Sequence, residues 1–486
     1  MSLQQWRAYI CVLMISCALV GAAFGQVDQG RIGGVVKDAT GAVIPGVNVM
    51  VINERTGEEH TAVTGDAGAY LVTALRPSTY SVKADLSGFA PVQTTGVQLV
   101  VGQKATVDLT LRPSAVTTDV SVVENFGDVA VDTSSATIGV NVVPREVEAL
   151  PLNGRQVSQL YLQAPGSTNV GSGTFGSIRF AGRATEQNTI RYDGIEGTGT
   201  IDANPGTLNA EIDSPFRLQS SLENVQEFRV ESSNYTAEFG TGTGGQISLV
   251  TKSGGNQFHG SLFEYLRNDV LDAANFFDNI AGQKAPLRLN QFGGSVGGPI
   301  VKNKTFFFGS YEGYRLRAGV NTVEAIPGAA SRICAPAPNG VPCIEANGQA
   351  SRSLLLLPGF KDPRAQIVSV GSGSNLFDVA QLQTNAIINE RAYSLRIDHK
   401  LNDKHSLYFR YFRDDGNLDS PDGVTGRRDI FVASPQNGVL GFQSTLSANI
   451  LNNFKFGYNG TYTRTNGKAP VVNGIDLGKQ GYVKVS

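Results

Sequence analysis

The feature that most constrains this chain is a change of pattern at Ser253-Gly254-Gly255-Asn256. On its N-terminal side, two β runs, Glu227–Glu231 and Gly245–Lys252, flank a turn region rich in Gly, Thr and Asn. They read as the closing hairpin of a globular unit. On its C-terminal side, from Gln257, an aromatic-rich strand opens something larger. Two kinds of packing therefore meet at one short polar break.

Beyond the break the runs are FHGSLFEYLRN, LRLNQFGGSVGGPI, KTFFFGSYEGYR, RAYSLRIDHKL, HSLYFRYFRD, LGFQSTLSANI and NNFKFGYNGTYTR. In SLYFRYFR, Leu407, Phe409 and Tyr411 share one face, while Ser406, Tyr408, Arg410 and Phe412 take the other. Alternation over about ten residues, with Tyr and Phe near strand ends, marks strands that face lipid on one side. Trp6 is the one tryptophan of the chain, so Tyr and Phe must form any interfacial belt after processing. No segment after the N-terminus reaches 18 apolar residues, so residence in a membrane has to be by strands.

The 486 residues leave room for about three domains. Glycine is abundant at 57, charged residues make up 17%, and 40 basic residues face 42 acidic ones. That balance offers no basic field for nucleic acid and no polybasic membrane patch. Arg7 followed by the apolar run Ala8–Phe24, with Ala23 and Gly25 before Gln26, reads as a signal peptide over residues 1–25. A membrane anchor is the rival reading, and a lipoprotein through Cys17 a weaker one. After removal only Cys334 and Cys343 remain, in the loop ICAPAPNGVPCI. In an exported protein that spacing points to a local disulfide rather than two free thiols or a metal site.

Residues 26–113 alternate β runs with turn signals every eight to twelve residues, which argues a small β-sandwich. Gly34–Val47 (GVVKDATGAVIPGV) and Thr64–Tyr70 (TGDAGAY) resemble the carboxypeptidase regulatory-like domain, a module that is not itself catalytic. Asp66 reads as a turn residue, with a calcium ligand as the alternative. After Pro113, TTDVSVVEN (Thr117–Asn125) is β-prone and reads as too isolated to pair within the sandwich. Residues 133–255 read as mixed α/β, with helices expected over Pro144–Leu150 and Asn153–Gln163. Val157, Leu160 and Tyr161 would share one face of the second.

LPLNGR (Leu150–Arg155), IRFAGRATEQNTIRYDGI (Ile178–Ile195), the hairpin around Glu231 and NQFGGSVGGPIVKNKTFFFGSYEG (Asn290–Gly313) together resemble TonB-dependent outer-membrane transporters, more narrowly their Oar-like branch. That resemblance implies a β-rich multidomain fold: N-terminal β-sandwich, mixed α/β plug over 133–255, and part of an antiparallel transmembrane β-barrel over 256–486. Arg183, Asn188 and the Asp193-Gly194 turn match the plug's signature. Glu231, Gly240, Gly244, Gly245, Thr251 and Lys252 match its last hairpin, although Ser232-Ser233 replaces the usual Gly-Pro. The resemblance also implies a segment in the linker 114–132 that adds as a strand to TonB. Asp119, Val120, Ser121, Val122 and Val123 are the candidate box, with an ordinary edge strand as the alternative. The partners it implies are TonB, outer-membrane lipid and an unknown extracellular ligand. The place it implies is the outer membrane of a Gram-negative bacterium. A surface or protein-export component using the same barrel is the second reading.

An enzyme is the third. His60, His259, His399 and His405 form neither H-x-x-E nor H-E-x-x-H, and no G-x-S-x-G elbow occurs. The strings Gly171–Gly176 and Gly240–Gly245 have the G-x-G-x-x-G form, but each leads into a β run, where a dinucleotide fingerprint needs a helix. No cofactor or metal is expected. The link between Pro299 and Thr305 is expected to be a periplasmic turn, and Arg317–Glu390 an extracellular loop. The roughly 230 residues from Asn256 onward hold about seven strands, whereas a plugged lumen needs about 22. The expectation is a C-terminally incomplete chain whose open barrel edge would not insert alone.

Overall fold

The computed structural model describes residues 29–114, 121–123, 136–170, 177–198, 220–235, 237, 239–240, 242–274, 279, 284–327, 364–370, 377–447, 450–468, 471–472 and 475–476. The signal segment, Asp119, Val120, Cys334, Cys343 and the string Gly171–Gly176 lie outside them.

The first unit is a sandwich of two sheets. Its strands are β1 (Gly30–Asp38), β2 (Asn48–Asn53), β3 (Glu59–Val63), β4 (Ala69–Leu75), β5 (Ser78–Asp85), β6 (Phe89–Ala90), β7 (Val92–Leu99), β8 (Lys104–Thr106) and β9 (Leu109–Pro113). One sheet runs β4-β1-β9-β6 with β8 also on β1, and the other contains β7-β5-β2-β3. Alternate residues point inward, and Ile32, Val49, Val51, Leu75, Val82 and Leu111 are fully buried between the sheets. The segment Lys104–Leu111 is interrupted between β8 and β9. Asp108 turns its carboxylate onto the Val35 N–H (2.8 Å), and the Tyr70 hydroxyl donates to the Val107 carbonyl (2.7 Å), while the Val107 N–H still bonds the Gly33 carbonyl (2.8 Å). Asp66 sits exposed in the turn before β4.

The linker corrects an expectation. Ser121–Val123 (β10) does pair within the sandwich: it runs parallel to β7, Ser121 opposite Gln93 and Val123 opposite Thr95. β7 otherwise ends its sheet, and an open edge presents a row of unmet N–H and C=O groups to any extended segment within reach.

The second unit is a mixed sheet, order β11-β16-β17-β14-β15, from β11 (Ile138–Val142), β14 (Thr189–Tyr192), β15 (Ile195–Glu196), β16 (Val225–Ser233) and β17 (Gln246–Thr251). A two-stranded sheet, β12 (Ser167–Asn169) with β13 (Ile178–Phe180), lies beside it. Helix α1 covers Pro144–Ala149. No helix spans 153–163. Gly154 (φ 69°) and Arg155 (φ 54°) break it into two 3-10 turns, Asn153–Arg155 and Val157–Gln163. The expected face survives: Val157, Leu160 and Tyr161 are buried against Phe228 and Leu249 in one core.

The third unit is an antiparallel wall, order β18-β19-β20-β22-β23-β24-β25, open at both ends. Its strands are β18 (His259–Asn268), β19 (Leu287–Val301), β20 (Thr305–Pro327), β22 (Phe377–Asn402), β23 (His405–Asp422), β24 (Arg427–Ser447) and β25 (Ile450–Lys468), with β21 (Gln366–Ser369) added to β22. The tight turn at 302–304 stands where the sequence places it, and a second one lies at 403–404. Strand β18 has the ten residues expected, but β19, β20, β22, β23, β24 and β25 are longer. β22 has 26 residues, about 85 Å of strand, against a hydrocarbon core of about 30 Å. The segment read as a loop from Arg317 to Glu390 therefore starts and ends as paired strand, Ala318 opposite Ala386 through Pro327 opposite Phe377. Backbone pairing continues there because a ladder needs no apolar face, and Ile326, Ala380 and Leu382 of the extension are buried in a small cluster with Val424.

Along β22, Tyr393, Leu395 and Ile397 are exposed while Ser394, Arg396 and Asp398 are buried. The second unit occupies that buried side. Tyr192 meets Phe412 of the wall edge to face, centroids 4.8 Å apart at 70°.

Candidate functional site

The β14–β15 hairpin turns on Asp193 (φ 50°) and Gly194 (φ 82°). Two consecutive positive φ values define a tight primed turn, which Asp or Asn followed by Gly adopts at least cost. The turn delivers the Asp193 carboxylate into a buried space between sheet and wall. Thr251, at the end of β17, donates to it twice: N–H to Oδ1 at 3.0 Å and hydroxyl to Oδ2 at 2.8 Å. From the wall, Arg410 Nε reaches Oδ2 at 2.9 Å and Arg396 Nη1 reaches Oδ1 at 3.4 Å. Burial alone would raise this carboxyl, but Arg410 and Arg396 hold it well below the usual range.

Each guanidinium is itself held. Arg410 is fully buried and donates to the Asn437 carbonyl and side chain (2.9 and 2.6 Å) and to the Tyr192 carbonyl (2.9 Å). Arg396 grips Asp398 through two bonds of 2.9 and 3.1 Å and also donates to the Thr251 hydroxyl (3.0 Å). Lys455 on β25 donates to the Asp193 carbonyl at 3.0 Å. Arg76 of the sandwich then ion-pairs with Asp398 and lies 4.5 Å over the Tyr408 ring. One run of alternating charge thus joins sandwich, wall and inner sheet.

A second cluster also joins the inner unit to the wall. Arg155 Nη2 pairs with Glu223 at 2.6 Å and stands 4.1 Å over the Phe263 ring. Glu312 of the wall accepts from Ser221 and from Gln291 (2.6 Å), and Glu223 accepts from Ser261. Between sandwich and inner sheet, Glu227 accepts the Val101 N–H at 2.6 Å, and its burial there pushes its carboxyl up to about 8.

The residues singled out in the sequence fall into separate places. Asp193, Gly194 and Thr251 share the main cluster. Asn188, Gly244 and Gly245 form another: Asn188 donates to the Ile178 carbonyl (2.7 Å) and accepts from the Gly245 N–H (2.9 Å). A Cβ on Gly245 would lie 2.3 Å from the Phe180 ring. Arg183 reaches the Ser232 carbonyl (3.3 Å), Glu231 pairs with Arg229 (2.6 Å), and Lys252 with Glu148 (3.1 Å). Gly240 is exposed, with open space where a Cβ would stand. Gly240–Gly245 leads into β17, as its β run implied. Arg396, Arg410, Asp398 and Arg76 were not singled out as site residues. The available signal was the placement of Arg410 on the Tyr408–Phe412 face, a charge on a face otherwise filled by aromatics.

Residues 250–483 match the outer membrane beta barrel domain family, and residues 31–112 the carboxypeptidase regulatory-like domain. The TonB-dependent transporter Oar of Myxococcus xanthus is 31% identical over 307 residues, 60% of this chain and 27% of that protein. The chain thus spans about a quarter of the length of the curated relative it matches. Among solved structures, the outer membrane transporter YddB of Escherichia coli aligns at TM-score 0.43 and 12% identity, over 67% of this chain and 39% of its own. The siderophore receptor PirA of Acinetobacter baumannii aligns at 0.35 and 14%, over 68% and 45%.

Proposed function

We propose that this chain, a homologue of the TonB-dependent transporter Oar with an outer-membrane β-barrel domain and a regulatory-like sandwich, is an energy-coupled receptor. It takes a ligand from outside the cell to the periplasm of a Gram-negative bacterium, exported there by a signal peptide over residues 1–25. The second unit, the plug, closes the passage. The observation that carries this reading is the anchoring of Asp193 by Arg396 and Arg410, which seats a separately folded sheet against the buried face of the wall.

The sheet order gives the mechanism its direction. β11 is the first plug strand after the linker and lies at one edge of the sheet, antiparallel to β16. The DG turn lies at the other edge, tied to the wall. TonB, bound to Asp119–Val123 by main-chain pairing, would draw the linker and peel β11 first. Residues at the anchored edge would move last. Ligand identity resides in loops that this fold does not specify.

The long paired extension of β20 and β22 favours one second reading, a surface or protein-export component, because it forms a broad rigid sheet beyond the membrane. A peptide of residues 114–132 titrated with the purified C-terminal domain of TonB tests the first reading. Binding should survive Val122→Ala and fail with Val122→Pro, since proline removes a ladder donor. Absence of binding by the parent peptide would leave energy coupling without a basis, and a cell-surface phenotype that persists without TonB would favour the second reading.

A further inference from the structure

The sandwich makes contacts that neither uptake nor adhesion requires. Arg76 and Arg55 leave it in opposite roles. Arg76, its backbone fixed by the Tyr80 hydroxyl (2.7 Å), enters the wall at Asp398. Arg55 grips the plug: Nη2 donates to the Ser253 hydroxyl (2.8 Å) and Nη1 to Gln226 (3.3 Å), while its carbonyl accepts from Asn256 (3.0 Å). Gln226 returns a bond to the Pro77 carbonyl (3.5 Å). Both ends of the β16–β17 hairpin nearest the junction are therefore in the sandwich's hold.

We propose that the sandwich is a clamp that keeps the plug closed, with Arg76 positioning the charge network and Arg55 holding the hairpin. Asp398 is shared by two guanidiniums, those of Arg76 and Arg396. Arg396 binds Asp398 through Nε and Nη2 and turns Nη1 to Asp193 and Thr251. Without Arg76, Asp398 keeps Arg396 as its remaining ion-pair partner, and the less compensated carboxylate pulls against the longer 3.4 Å contact of Arg396 to Asp193. Sandwich docking thus strengthens a plug anchor that it does not touch. The linker strand Ser121–Val123 is paired to β7, so tension on that segment loads the sandwich before it reaches β11.

The clamp rests on the second unit being a plug, but its test needs no TonB and no ligand. Hydrogen exchange of the full chain held in detergent micelles is followed by mass spectrometry for the parent, Arg76→Gln, Arg76→Lys and Arg55→Gln/Arg76→Gln. Exchange in Thr189–Tyr192 and Gln246–Thr251 should quicken about tenfold in Arg76→Gln, a shift of about 1.4 kcal/mol in the opening equilibrium. It should quicken further in the double variant and stay near the parent in Arg76→Lys, which keeps the charge. Strands β2 and β5 of the sandwich should exchange as before. Unchanged plug exchange in the double variant overturns the clamp. So does a rise of equal size in β2 and β5, which would mean general loss of folding. If the linker peptide fails to bind TonB while these shifts appear, the clamp stands and the energy-coupled reading falls.

Discussion

Asp193 and Arg410 are 217 positions apart in sequence and 2.9 Å apart in space, with Arg410 wholly buried. A charge pair so enclosed needs every partner it has. Arg410 is satisfied by Asn437 and the Tyr192 carbonyl, and Asp193 by Thr251 and Arg396, so the pair is held in one geometry on both sides.

Replacing Asp193 by Asn keeps the shape of the turn and removes the charge that faces two guanidiniums. Breaking one side of a buried pair costs about 3–5 kcal/mol. The expected outcome is a lower urea midpoint for the second unit, read by protease resistance of Thr189–Thr251, with the sandwich midpoint unchanged. In the parent, a carboxyl lowered from its ordinary value of 3.8 contributes stability above that pH. That stability should be lost only as pH falls below it, through the still lower folded-state value. A parent and variant with the same urea midpoint at pH 7 would show that the pair contributes nothing.

Glu227 gives the opposite sign. Its carboxyl is raised from 4.5 to about 8 by burial against Val101, so the folded state holds a proton that the unfolded chain has released. Stability is full below pH 4.5, falls as pH rises from 4.5 to 8, and is level above. Glu227→Gln should abolish that slope, as measured by denaturation at pH 5, 7 and 8.5. A slope of equal size in the variant would place the titration elsewhere.

Asn188 bonds the Ile178 carbonyl and the Gly245 N–H from a fully enclosed position. Asn188→Ala leaves both unmet, at about 1–3 kcal/mol. Faster hydrogen exchange at Gly245 and along β13 is the expected readout, and exchange unchanged at both would show that the Asn188 bonds do not protect this region.

Much of this architecture was legible before any coordinates. Alternation in SLYFRYFR places Arg410 on the correct face, because a strand has a period of two whatever surrounds it. The DG pair announces the turn at Asp193, and the glycine-rich break marks where globular packing gives way to the wall. These are local properties, decided by residues a few positions apart. The pairing of Ser121–Val123 with β7 and the extra length of β20 and β22 were not local. Each depends on a distant edge or core offering backbone partners that pattern alone does not reveal. The charge network belongs to tertiary structure entirely. Arg76, Asp398, Arg396, Asp193 and Arg410 come from three units, and their proximity arises only when the sheet seats against the wall. Sequence by itself determined which segments become strands and which faces they bury; the fold decided which buried charges meet, because a salt bridge acts through space and leaves no period in the chain.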